Sequence, residues 1–153
     1  MKWLIAFVLS IALTTLSWAG TWGAGSFDND DAMDWVSSCT GRADAVCISN
    51  ALQAARSASY IDASEAAAAV AAAEVVAAAI DNNQAALPPE LSAWLKKQDR
   101  SKIRSLAPAA SSALTRVADS KVSELAALWS EDAKSNWGVR IKALAGRLSS
   151  TRR

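Results

Sequence analysis

The 153-residue chain contains no histidine, only two cysteines, three prolines and six glycines. The missing imidazole excludes a Ser-His-Asp or Cys-His catalytic arrangement and any zinc site that uses histidine. Two cysteines are also too few for a zinc site built from thiolates alone. Proline and glycine, the strongest interrupters of helix, are scarce, whereas alanine, the best helix former, occurs 35 times. No stretch alternates apolar and polar residues with the period of two that marks a half-buried strand. Net charge is missing too, since 16 Lys and Arg oppose 15 Asp and Glu. A nucleic-acid binder would normally be basic overall, so no nucleic acid is expected as a partner.

That neutral total conceals two opposed halves. Residues 20–95 carry ten acids and two bases, while residues 96–153 carry thirteen bases and five acids. Such a division predicts either internal complementarity or a dipolar surface.

The chain opens with Met1-Lys2, an apolar run from Trp3 to Leu13, and a small-x-small ending at Ser17-Trp18-Ala19. This is the form of a secretory signal peptide with cleavage after Ala19. The run is short for a membrane span, which needs roughly 20 apolar residues. The expectation is a leader over 1–19 and an exported (periplasmic or secreted) single domain over 20–153. No stable membrane insertion is expected once the leader is removed. In an oxidising compartment Cys39 and Cys47, eight positions apart, are expected to form a disulfide. The closed loop would stabilise by roughly 2–3 kcal/mol in the chain-entropy model. A redox-active pair would call for C-x-x-C spacing and a stronger positive field than Arg42 supplies.

Helix starts are legible. Phe27 precedes Asp28-Asn29-Asp30-Asp31, placing an apolar residue before an Asp cap with a second acid three positions on. Ala32, Trp35, Val36 and Cys39 then follow at i, i+3, i+4 and i+7. Further helices are expected over 44–57, over 66–80 after the capping box Asp62-Ala63-Ser64-Glu65, and from Pro88-Pro89-Glu90 to Leu95. Residues 99–106 read as a loop with a short helix, and the remaining helices span 108–119, 122–130 and 132–148. The third helix is small and apolar on nearly every side, which predicts a central position with close neighbours. The expected fold is all-α, a single compact bundle of about six or seven helices around this alanine-rich one.

The block Gly20-Thr21-Trp22-Gly23-Ala24-Gly25-Ser26-Phe27-Asp28-Asn29-Asp30-Asp31-Ala32-Met33-Asp34-Trp35 resembles the opening signature of a bacterial domain-of-unknown-function family, number 4259. The likeness continues through the run from Glu65 to Ala79, through Leu87-Pro88-Pro89-Glu90 to Trp94, and into the Leu128-Trp129 and Trp137 region. The resemblance implies the domain boundary and the fold, and brings no activity with it. Members of that family commonly begin Met-Gly-Thr-Trp-Gly, so loss of Met there and signal cleavage here would expose the same glycine amine. At Gly20 that amine is expected either to be held against the Asp28 to Asp34 cluster or Glu74, or merely to reflect the preference of both processing enzymes for small residues.

Asp28, Asp30, Asp31 and Asp34 place four carboxylates within seven positions. They have the donor chemistry for a hard cation or an acid/base pair. A calcium-loop reading fails, because Ala32 and Met33 fill its fifth and sixth places. As a helix start, acids contribute about 0.3–1 kcal/mol each and a cap about 1 kcal/mol, although Asp34 lies too deep to benefit. Trp22 and Trp35 flank the cluster, either as packing anchors or as a stacking surface. Glu74, inside the most apolar helix, is a candidate buried carboxylate and needs a partner, either a basic residue of the second half or the Gly20 amine. Lys96, Lys97, Arg100, Lys102 and Arg104 read as a solvated face without interleaved aromatics.

The expected function is binding of an unidentified protein partner through segment 20–35 and its acidic cluster, with no cofactor and no catalytic residue assigned. The alternatives are a metal-dependent or carboxylate-based hydrolase using the same aspartates, and a toxin-neutralising or inhibitor protein. N-terminal sequencing of the protein purified from an exporting cell is expected to read Gly-Thr-Trp-Gly. A read beginning at Met1 would overturn the leader.

Overall fold

The computed structural model describes residues 23–150. The described chain forms α1 (Asp30–Thr40), α2 (Val46–Ser57), α3 (Ala63–Asp81), α4 (Pro89–Leu95), α5 (Arg100–Arg104), α6 (Ala107–Val117), α7 (Glu124–Ser130) and α8 (Trp137–Ser150). The fold is all-α, with one helix more than the upper expectation because the short helix of the 99–106 loop stands as α5. Asp99 caps it by accepting from the backbone of Ser101 and Lys102. The last helix also starts later than expected. Asp132 accepts from the Lys134 N–H at 3.0 Å, Ser135 N–H donates to the Asp132 carbonyl, and the Ser135 hydroxyl accepts from the Trp137 N–H. These turn bonds use up the backbone groups that would have extended α8 back to Asp132.

α3 is the axis of the molecule, packing against α1, α2, α5, α6, α7 and α8. Twelve of its nineteen residues are buried, including Ala69, Ala71, Ala72, Ala73, Val75 and Val76 with no exposure. A methyl side chain lets neighbouring backbones come close, and large partners on those neighbours fill the space between. Ile48 and Leu52 of α2, Leu114 and Val117 of α6 and Leu148 of α8 are those partners in the same core. By length and composition α3 is apolar enough to cross a membrane, contrary to the shorter span expected for it. Its cover in this fold is protein.

The start of α3 is fixed from two directions. Asp62 caps it, its carboxylate accepting from the Glu65 N–H at 2.7 Å and from the Ser64 hydroxyl at 2.9 Å. A second orphan N–H, that of Ala63, is taken by Glu124 from α7 at 2.8 Å rather than by a local side chain. Alongside it, Ile61 N–H donates to the Val122 carbonyl and Glu124 N–H donates to the Ile61 carbonyl, forming an isolated parallel bridge between Ile61 and Ser123. Both bridge residues have zero exposure. This clip makes the N-termini of α3 and α7 neighbours.

The two charge halves meet mainly through backbone groups. Arg116 of the basic half donates to the carbonyls of Arg56 at 2.5 Å and Ala58 at 2.6 Å, capping the end of α2. Arg147 forms an ion pair with Asp81, and Arg100 donates to Asn82. Cys39 and Cys47 are joined as expected, with their Cα atoms 5.4 Å apart, so the α1–α2 corner is covalently closed. Overpacking the axis tests its role. Ala73→Leu is expected to lower unfolding free energy by about 1–3 kcal/mol in denaturant titration, whereas Ala143→Leu on the exposed face of α8 leaves it nearly unchanged.

Candidate functional site

Segment 23–35 builds its own corner before α1 begins. The Asp28 N–H donates to the Gly25 carbonyl at 3.2 Å, and the Asp28 carboxylate accepts from the Gly25 N–H at 2.9 Å. A Cβ at Gly25, and one at Gly23, would run into that carboxylate, so a side chain at either position would push the Asp28 carboxylate out of its place in the turn. The helix cap is Asn29, not the aspartate expected from the sequence. Its side chain accepts from the Ala32 N–H at 2.8 Å while its backbone stays extended, and its relative exposure is only 9 %. Asp28 could not serve as cap because its carboxylate is turned back into the loop.

This shift redistributes the four aspartates. Asp28 belongs to the turn, Asp30 and Asp31 occupy the first turn of α1, and Asp34 sits one turn further on, exposed. Burial and the carboxylates of Asp34, Asp30 and Asp62 together push the pKa of Asp31 above its ordinary value of 3.8. Asp62, the α3 cap, thus joins the acidic face that Asp28 leaves. No local signal announces that neighbour, which lies thirty-one positions along the chain. Among the described residues no three acidic or cysteine side chains converge as a metal would need. Trp22 and the Gly20 amine lie outside the described residues.

Trp35 is half-buried and packs on the core, as an anchor would, yet it also lines a surface groove between α1, α2 and α3. Phe27 packs inward as well, fixing the entry to α1. Glu74 is half-buried rather than enclosed. Its carboxylate accepts from the Ser26 hydroxyl at 2.7 Å, so among the described residues its partner is a neutral hydroxyl of the N-terminal loop rather than an arginine. The loop is thereby tied to the middle of α3, forty-eight positions away. The disulfide and the Trp94 indole, which donates to the Arg42 carbonyl at 2.8 Å, hold the other end of α1.

The raised pKa of Asp31 has a definite sign. Between pH 3.8 and the raised value the folded state binds more protons than the unfolded one, so stability falls as pH rises through that window. Above it the ionised carboxylate carries a constant penalty, despite the favourable helix dipole. Asp31→Asn is therefore expected to raise the melting temperature at pH 7, with the gain vanishing as pH approaches 3.8. An unchanged or lower value at pH 7 would show that the dipole outweighs burial and repulsion.

Among curated proteins and solved structures nothing matches the chain. A family model described as a domain of unknown function, DUF4259, matches residues 20–138, which takes in the glycine turn, the Asn29 cap, the acidic face and all of α1 to α7. The chain belongs to that family.

Proposed function

We propose that the protein is an exported interaction module that offers its acidic α1–α3 corner to a basic segment of a partner protein. The observation that carries this reading is the gathering of Asp30, Asp31 and Asp34 from one helix with Asp62 from another, whose charges add to burial in raising the pKa of Asp31. Like charges gathered from separate elements cost folding energy, and a cationic partner relieves that cost on binding. Trp35, half-buried at the edge of the face, adds an aromatic surface of the kind enriched at interfaces. A metal-dependent hydrolase is the weaker reading, because the described residues gather no set of three ligands. Catalysis by a carboxylate pair would also call for an enclosed pocket, whereas Asp28 and Asp30 border only an open depression beside Phe27 and Met33.

The test is capture from the secreted or periplasmic fraction of the producing organism, with the full chain as bait. A partner retained at low salt is expected to be lost at high salt, and lost again with Asp31→Asn/Asp34→Asn. A partner held equally by that variant, or insensitive to salt, would place the interface elsewhere.

A further inference from the structure

A groove of about 230 Å³ runs between α1, α2 and α3, and its lining includes Trp35, Arg42, Asn50 and Glu65. The topology orders these residues. α1 and α3 start close together, since Asp31 senses Asp62, and α2 returns from the disulfide towards the start of α3. Arg42 and Cys47 therefore mark one end of the groove, and Ala54 and Glu65 mark the other. From Cys47 to Ala54 is seven positions of α2, about 10 Å at the helical rise.

The two end charges are opposite, and among the described residues neither is paired. Among the described residues the bonds of Arg42 are backbone ones, its N–H to Cys39 and its carbonyl from the Trp94 indole. Those of Glu65 likewise involve its N–H, donated to Asp62. Neither the guanidinium nor the carboxylate meets a hydrogen-bonding or ionic partner among the described residues. The main chain beneath each is nevertheless anchored, at Arg42 by the indole and the neighbouring disulfide and at Glu65 by the Asp62 cap. Between the ends lie the Trp35 ring and the Asn50 amide, an apolar floor with one side chain able both to donate and to accept.

We infer that this groove binds a small zwitterion with an apolar body, of the chemical type of a free dipeptide. Its carboxylate meets Arg42, its ammonium meets Glu65, its side chains lie over Trp35 and its amide bonds to Asn50. Two extended residues span about 7 Å, which sets the opposite charges of a dipeptide apart with its apolar body between them. The inference does not rest on the partner-binding reading. It uses Arg42 and Glu65, which that reading does not, and it concerns a small ligand.

Alanyl-leucine is the probe, titrated into the isotopically labelled full chain and followed by amide and indole NMR. Saturable shifts are expected at Trp35, Asn50 and Glu65. N-acetylation or C-terminal amidation of the dipeptide is expected to weaken binding about tenfold or more, the loss of one charge-assisted hydrogen bond. Arg42→Glu and Glu65→Arg are each expected to weaken it to the same degree. The double variant Arg42→Glu/Glu65→Arg is expected to restore it, because a zwitterion can turn end for end. No saturable shift with the wild-type chain, equal binding of the end-blocked peptides, or a double variant no better than either single one would overturn the inference. The blocked-peptide comparison uses the wild-type chain and so stands even if a variant folds poorly. Partner capture that fails with Asp31→Asn/Asp34→Asn while dipeptide binding persists would separate the two sites.

Discussion

The rest of the structure depends on the smallness of α3. Methyl groups along most of its length let six other helices approach one axis, and a chain of this size gains a core by wrapping rather than by layering. The constraint is steric before it is hydrophobic. An alanine buries little surface, so the stabilisation comes from the leucines, isoleucines and valines on the helices that it admits. An axis of this kind tolerates few larger residues, and the one charged side chain in its middle, Glu74, is placed where the N-terminal loop can reach it with Ser26.

The N-terminal segment does several jobs with few residues. Gly23 and Gly25 make room for the Asp28 carboxylate, the resulting turn delivers Asn29 as the cap, and Phe27 packs inward beside it. Only then do the remaining aspartates of α1 face outward as a group. Their repulsion is tolerated because each element that carries them is pinned independently. α1 is closed by the disulfide at its far end, and α3 is held by the bridge to Ser123 and by Glu124. A rigid frame of this sort keeps like charges together that a flexible loop would let drift apart.

Local patterns in the sequence account for most of the fold. The 3.6-residue apolar stripes, the proline at the start of α4 and the Asp62 cap all express interactions within one or two helical turns, and all are found where the pattern puts them. The disulfide was legible for the same reason, its cysteines lying on adjoining helices. What escaped the sequence is long-range. Asp62 beside Asp31, Ser26 on Glu74 and Glu124 on the Ala63 N–H join residues tens of positions apart, and no local periodicity encodes such meetings. The cap was displaced by one residue because two side chains, Asp28 and Asn29, were each chemically able to serve. The competing bond from Asp28 to Gly25 decided between them. The acidic cluster was thus visible as composition but not as membership, which exchanges Asp28 for Asp62.

The position of α8 bears on what covers the central helix. The family match stops at residue 138, two residues into a helix that then buries Ile141, Leu144 and Leu148 against the rest. α8 packs against α6, α3 and α7. A chain cut at the family boundary would leave an apolar strip of the axis open to water, beside the stacked rings of Trp129 and Trp137. The segment that the family model matches and the set of helices that share the core are therefore different lengths. The least distinctive residues of the molecule, a plain amphipathic tail, shield its most distinctive helix.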